Sequence, residues 1–230
     1  MSPTAIASLQ GRIEAVRESV ESAADRVGRS ATDVTVVAVS KTVDRETMQA
    51  AYELGLRHFG ENRVQDARRK LTVPMPDDCT LHLIGQLQTN KASHAVELFQ
   101  VIESVDRPSL IEELEKQAAR RNIHLPVLLQ VNVAGEQQKA GCAPDEVDSL
   151  VNQLAWSEHL DLRGLMTIAP LVDDAEDVRP VFRRLREIRD RMQSDSGLEL
   201  PVLSMGMTND FPVAIEEGAT DVRIGRAIFG

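Results

Sequence analysis

The sequence predicts a single (β/α)8 barrel, an α/β fold, preceded by an extra N-terminal helix. Short apolar runs of strand length alternate with segments of helical periodicity eight times along the chain. Strict alternation is typical of a parallel sheet, because parallel strands need a crossover helix between them. Eight repeats within about 200 residues favour a closed barrel over an open sheet. No linker rich in Ser, Gly or Pro interrupts the pattern, so we expect residues 1–230 to form one domain.

The extra helix comes first, because apolar residues from Ile6 to Val20 recur every three or four positions and Gly28 follows as a stop. The eight predicted strands cover residues 34–39, 57–60, 81–85, 101–104, 126–133, 162–168, 201–206 and 221–225. The predicted helices cover residues 45–54, 63–71 and 89–98, a segment that begins at Pro108, and segments around 147–154, 178–188 and 211–218.

Composition argues against several classes of function. The formal net charge of −10 at pH 7 and the pI near 5.0 disfavour nucleic-acid and membrane-surface partners, which attract a basic face. The N-terminus has no basic start, and no window approaches the run of about 18 to 20 apolar residues that a membrane helix needs. We therefore expect a cytoplasmic protein. Cys79 and Cys142 lack metal-ligand spacing, which indicates two reduced thiols and no metal site.

Lys41 is the first candidate site residue. It follows the β-branched run 34–39, which predicts a strand buried on both faces, and only Ser40 intervenes. At the mouth of a barrel, desolvation would lower the pKa of this lysine and free its amine to attack a carbonyl. The alternative is a lysine that simply extends from a strand end into water.

The ends of the last two predicted strands could hold a phosphate, as they do in many such barrels. Ser204 offers a hydroxyl, Gly206 and Gly225 allow close approach of the backbone, and Thr208 could cap the following helix. Taken alone, each glycine is better explained as a turn between a strand and a helix, and it is the pair at the two strand ends that favours a phosphate site. A reactive amine that faces a phosphate cradle indicates pyridoxal 5′-phosphate (PLP).

Six segments make the chain similar to the pyridoxal-phosphate homeostasis protein family from about residue 34 onward. They are VSKT at 39–42, FGENRVQ at 59–65, HLIGQLQTNK at 82–91, GLM at 164–166, SMGM at 204–207 and RIGRAIFG at 223–230. The family resembles the N-terminal barrel of alanine racemase and of bacterial-type ornithine decarboxylase, the PLP enzymes of fold type III, without their C-terminal β-domain.

The resemblance implies a PLP-binding protein of vitamin B6 homeostasis that holds the cofactor as a Schiff base on Lys41. It implies no established turnover, a monomer, and a role in buffering PLP or delivering it transiently to apo PLP-dependent enzymes. The phosphate would lie against Ser204, Gly206, Gly225 and the backbone N–H of Arg226.

The resemblance also assigns the polar residues around the cofactor ring. Arg223 would face the pyridine nitrogen, and because a guanidinium can only donate a hydrogen bond, that nitrogen would stay unprotonated. Asn62 would approach the ring hydroxyl or the imine. His82, on a predicted strand, is either a group that orients the site or a hydrogen-bonded core histidine.

The sequence departs from the family at two positions. Arg226 stands where relatives often have a small hydroxyl residue, and Val43 replaces a second lysine that many of them carry. Lys139 is a candidate second amine for the cofactor, or an ordinary solvated loop lysine.

The alternative function is that of a PLP-dependent amino-acid racemase or decarboxylase of fold type III. A racemase of this type needs a second base, which in the alanine racemase pattern is a tyrosine, and the chain has the single tyrosine Tyr52 on a predicted helix. A Schiff-base aldolase acting on a sugar phosphate would use a similar lysine, but it would not account for Arg223.

Overall fold

The computed structural model describes residues 1–136 and 140–230, and its centre is a closed barrel of eight parallel strands. The strands are β1 Thr35–Val39, β2 His58–Glu61, β3 Thr80–Leu83, β4 Val101–Val105, β5 Leu125–Gln130, β6 Leu160–Met166, β7 Val202–Met207 and β8 Asp221–Ile224. Each strand pairs in parallel with the next one along the chain, and β8 pairs with β1. The predicted barrel is confirmed.

Helices surround the barrel, and their ends follow the local sequence. They are α1 Pro3–Asp25, α2 Arg45–Glu53, α3 Val64–Lys70, α4 Ala92–Leu98, α5 Pro108–Arg121, α6 Val147–Ala155, α7 Arg179–Ser196, α8 Phe211–Glu216 and α9 Arg226–Phe229. The Ser2 side chain caps α1 by accepting the N–H of Ala5. Gly197 ends α7 in the left-handed conformation that glycine adopts at low cost.

The extra helix α1 is part of the barrel wall. Leu9, Ile13 and Val16 are buried, and the helix packs against α8 and α9. Arg12 donates a hydrogen bond from Nε to the backbone oxygen of Ile228, at 2.6 Å. The first helix therefore supports the two helices that follow the last two strands.

Many element boundaries differ from the prediction by a few residues, and β5, β6 and α9 show the physical reasons or the extent. Strand β5 ends at Gln130 rather than at residue 133, because Val131 forms only an isolated bridge with Cys142. Strand β6 begins at Leu160 and ends at Met166, two residues earlier than expected at each end. Helix α9 was not predicted, because four residues are too few to show helical periodicity.

Both cysteines are buried free thiols. Burial raises the pKa of Cys79 to about 11 and that of Cys142 to about 12. Both thiols are therefore protonated at neutral pH. Across residues 1–136 and 140–230, we find no helix that combines the length and the apolar character needed to cross a bilayer.

Candidate functional site

A cavity of about 780 Å³ opens at the carboxyl ends of the barrel strands, and we call it the mouth cavity. Five of the predicted site residues line it: Lys41, Asn62, Arg223, Gly225 and Arg226. Parallel strands end at one rim, so residues distant along the chain converge there. Ser204 and Gly206 do not line the mouth cavity.

Lys41 lies two residues beyond β1 and is exposed on the cavity wall. The expectation that burial desolvates its amine is therefore wrong. The preceding residue, Ser40, is the one that is fully buried. Its N–H donates to the backbone oxygen of Gly60 at 3.0 Å.

An ion pair holds the backbone directly before Lys41 and Asn62. The Nζ of Lys70 donates to the backbone oxygen of Ser40 at 2.5 Å and to Glu61 Oε1 at 2.6 Å. The Ser40 hydroxyl also donates to Glu61 Oε1, at 2.6 Å. Because Ser40 precedes Lys41 and Glu61 precedes Asn62, the contacts among Ser40, Glu61 and Lys70 fix both positions on the rim. Glu61 Oε2 is buried and has no hydrogen-bond partner among the described residues.

Arg223 is 3% exposed and reaches the mouth cavity from below. Its guanidinium donates from Nη1 to Ser204 Oγ at 2.6 Å and from Nη2 to the backbone oxygen of Thr167 at 2.7 Å. Burial lowers the pKa of Arg223, and the charges of Glu103, Asp210 and Asp221 act in the opposite direction. These contacts fix the orientation of the guanidinium.

Ser204 belongs to a hydrogen-bonded chain inside the barrel. Because Arg223 donates to Ser204 Oγ, the serine hydroxyl gives its own hydrogen to Glu103 Oε2, at 2.5 Å. Glu103 Oε1 lies 2.7 Å from His82 Nδ1, and His82 Nε2 lies 3.0 Å from His58 Nδ1. The structure therefore places the Ser204 hydroxyl in the buried core, outside the mouth cavity, and His82 is a hydrogen-bonded core histidine.

The protonation of this buried chain follows from its contacts. Burial acts to raise the pKa of Glu103, but hydrogen bonds from His82 and Ser204 and the nearby positive charges outweigh it, so the pKa is lowered. Burial lowers the pKa of His58 to about 4. Burial, followed by the charge of Glu103, raises the pKa of Asp221 to about 6. At pH 7, Glu103 is thus an anion that faces Arg223 across one hydroxyl.

Ligand atoms of His82, Glu103 and Asp221 lie within 4.8 Å of one another, which is a spacing compatible with a metal ion. Both Glu103 oxygens, however, already accept hydrogen bonds, one in the contact with His82 and one from Ser204. The hydrogen-bonded chain accounts for this cluster, and we assign no metal to it.

The loop after β7 differs in detail from its prediction. Gly206 has φ +93°, and a Cβ there would lie 2.6 Å from the Cβ of Ala214, so a glycine is required for α8 to pack onto β7. Thr208 does not cap α8, which begins at Phe211. Asp210 precedes the helix, and its Oδ1 accepts the N–H of Met207 at 2.6 Å.

Comparisons with known proteins decide the family. The profile of the family "Alanine racemase, N-terminal domain" matches residues 12–230. The pyridoxal phosphate homeostasis protein of Aquifex aeolicus is 43% identical over 219 residues, which are 95% of this chain and 96% of that protein. The protein of the same name from Pseudomonas aeruginosa is 39% identical over 225 residues, or 98% of this chain and 96% of that protein. The chain belongs to the pyridoxal phosphate homeostasis protein family.

The family is also represented among solved structures. PipY of Synechococcus elongatus, solved with PLP bound, is 36% identical and superposes with a TM-score of 0.84, covering 96% of this chain and 100% of that one. The resemblance predicted from six short segments is therefore confirmed, and so is the fold of the alanine racemase N-terminal barrel.

The site residues were predicted mainly from the family motifs, and that prediction did not include Asp210, Glu61 or Lys70. Asp210 lines the mouth cavity and is buried, and burial raises its pKa. Glu61 and Lys70 form the ion pair behind Lys41. For Glu61, the only signal in the sequence was the segment FGEN at 59–62, which precedes a predicted helix. Local sequence contained no signal for Asp210 or Lys70. Lys139 lies outside the described residues.

Proposed function

We propose that the chain binds PLP in the mouth cavity and serves in PLP homeostasis. The supporting observation is that Lys41, Arg223 and the segment Gly225–Arg226, which lie near opposite ends of the sequence, converge on one cavity. PLP supplies a reactive aldehyde and an electron-withdrawing ring. The Lys41 amine is the covalent anchor for the aldehyde carbon.

The donor set of the mouth cavity fits a phosphorylated pyridine. Its walls include the apolar residues Val39, Ile84, Ile168 and Met207, which suit the faces of an aromatic ring. Arg226 and Ala227 begin α9, so their N–H groups have no acceptor within that helix and are available to a phosphate. A Cβ at Gly225 would meet Val39 at an ordinary 3.4 Å, so this glycine is not demanded by packing.

Arg223 limits what the bound cofactor can do. The guanidinium is held by Ser204 and Thr167, and because it can only donate, it would leave a ring nitrogen that faced it without a proton. An unprotonated ring stabilises negative charge poorly. This arrangement favours holding the cofactor over turning substrates into products.

The racemase or decarboxylase alternative has less support. Tyr52 lies on α2, donates from its hydroxyl to Asp78 Oδ1 at 2.6 Å, and does not line the mouth cavity. The relatives described above are named for homeostasis rather than for a reaction. We therefore propose that the protein buffers PLP and delivers it to apo PLP-dependent enzymes, acting as a monomer.

Covalent labelling tests the anchor. Protein incubated with PLP should show the absorbance of a lysine-bound cofactor, and borohydride reduction followed by peptide mass spectrometry should find the pyridoxyl group on Lys41. Lys41→Ala should lose both signals, while Lys139→Ala should keep them. Labelling that persists in Lys41→Ala would place the anchor elsewhere.

A panel of amino acids tests the absence of turnover. The loaded protein should neither racemise nor decarboxylate any of them, yet it should restore activity to an apo-enzyme mixed with it. Turnover that exceeds the rate of free PLP would contradict the carrier role. Light scattering coupled to gel filtration should give the mass of one chain.

A further inference from the structure

A second cleft of about 690 Å³ lies beside the mouth cavity, and we call it the rim groove. The two share Asn62, Gly85 and Gln86 as lining residues. The groove extends from this shared wall over the start of α3 and along the segment after β3. Proposed PLP binding uses Asn62 from this region and leaves the rest of the groove unexplained.

The wall that the two clefts share carries no side chain at residue 85, which is a glycine. A Cβ at Gly85 would lie 2.1 Å from the backbone oxygen of Asn62, so no side chain fits there. The loops after β2 and β3 are thus in direct backbone contact. At Gly85, backbone atoms alone separate the two clefts.

The rim groove is positively charged in a protein of net charge −10. It is lined by three cations, Arg63, Arg69 and Lys91, and by one carboxylate, Asp66. Arg69 pairs with Asp66 at 2.6 Å, which neutralises both. Within the described ranges, the side chains of Arg63 and Lys91 have no hydrogen bond or ion pair, so two positive charges remain unbalanced.

Neutral donors and a fixed wall accompany these charges. Gln65, Gln86 and Gln88 line the groove, and each amide offers two N–H donors. Arg107 holds the wall from behind, since its Nη2 donates to the backbone oxygen of Leu87 at 2.7 Å. Leu87 itself is 1% exposed, which anchors the segment to the core. The backbone of this wall is therefore fixed in place.

We propose that the rim groove is a second binding site, specific for a small phosphate monoester, next to the mouth cavity. A phosphate carries a charge of about −1.5 to −2 at pH 7, which matches the two unbalanced cations. Its three oxygens accept bonds both from the planar fork of Arg63 and from the ammonium of Lys91. A ligand seated there would contact Asn62 and so lie beside the proposed cofactor position.

Titration with inorganic phosphate tests the proposal. The protein is first loaded with PLP and reduced with borohydride, so that the cofactor's own phosphate occupies the mouth cavity. Phosphate binding is then followed by 31P NMR or calorimetry in the unmodified sequence, in Arg63→Gln/Lys91→Gln, and in Lys116→Gln. Lys116 is an exposed cation that pairs with Glu113 at 3.2 Å outside both clefts, so it controls for the loss of a positive charge away from the groove.

We expect saturable binding that weakens about fivefold or more in Arg63→Gln/Lys91→Gln and by less than about twofold in Lys116→Gln. The double variant should fold normally, because neither side chain has a partner to lose in the described structure. Equal weakening in the control, or the absence of saturation, would overturn the proposal. Tighter binding of succinate than of phosphate would overturn the assigned ligand class.

The test is independent of cofactor binding. If borohydride fixes no cofactor, the proposed function fails at that step, and the titration is repeated on Lys41→Ala protein. Loss of phosphate binding in Arg63→Gln/Lys91→Gln would then still support the rim groove. Unchanged binding in that variant would reject the groove whether or not the protein carries PLP.

Discussion

The Ser204 hydroxyl donates to Glu103 Oε2 at 2.5 Å while it accepts from Arg223 at 2.6 Å, so one small side chain joins a buried anion to a buried cation. The two strands that carry Ser204 and Glu103, β7 and β4, are not neighbours in the barrel. The side chains of Ser204 and Glu103 therefore meet inside the barrel. Arg223 keeps its position at the floor of the mouth cavity because of this indirect pairing.

Glu103→Gln should destabilise the fold by about 3 kcal/mol, because it removes the strongest of the negative charges that offset the burial of Arg223. Urea unfolding would measure the loss. Glu113→Gln, on the surface of α5, is the matched control and should change stability by less than about 0.5 kcal/mol. Equal effects of the two substitutions would show that the buried carboxylate has no special role.

Lys70→Met should also destabilise the protein by about 3 kcal/mol, since the buried Glu61 carboxylate and the Ser40 carbonyl lose a charged donor. Adding Glu61→Gln to Lys70→Met should recover part of the loss, because no unpaired charge then remains. Denaturant unfolding of the four proteins of this double-mutant cycle measures the coupling. Additive effects would contradict the pairing.

Stability between pH 7 and pH 5 should reflect two opposing titrations. The pKa of His58 falls from 6.5 to about 4 on folding, so protonation of the unfolded state removes about 2 kcal/mol of stability by pH 5. The pKa of Asp221 rises from 3.8 to about 6, so protonation of the folded state adds about 1 kcal/mol over the same range.

Asp221→Asn should therefore lose more stability on acidification than the unmodified protein, and His58→Asn should lose less. Unfolding free energies at the two pH values, measured for the three proteins, check both directions. Identical pH dependence in all three would mean that neither group titrates as its surroundings indicate.

Gly206→Ala should destabilise the protein by about 2 to 4 kcal/mol, because the new Cβ meets Ala214 at 2.6 Å at a backbone φ of +93°. Gly28→Ala is the matched control for backbone strain, with φ +69° and open space around it, and should cost only about 1 kcal/mol. Thermal denaturation compares the two. A smaller loss at position 206 than at position 28 would refute the packing argument.

Local sequence was sufficient for the barrel, because the alternation of strands and helices sets the fold, and it was sufficient to place Lys41 after the first strand. Lys41 follows directly from its place after β1, whereas Asn62 and Arg226 were assigned through the family resemblance. Ser204 could not be placed in this way, since its partner Glu103 lies 101 positions away and is brought near only by barrel closure. The same limit applies to Lys70, whose contact with Ser40 depends on how α3 packs.

Strands β1 and β8 form the ladder that closes the barrel, and in it Val37 pairs with Arg223. Lys41 belongs to one side of that seam and Arg223 to the other. The lysine follows the first strand, and the arginine lies on the eighth. Both groups can therefore stand on the wall of the mouth cavity only after β8 has paired with β1.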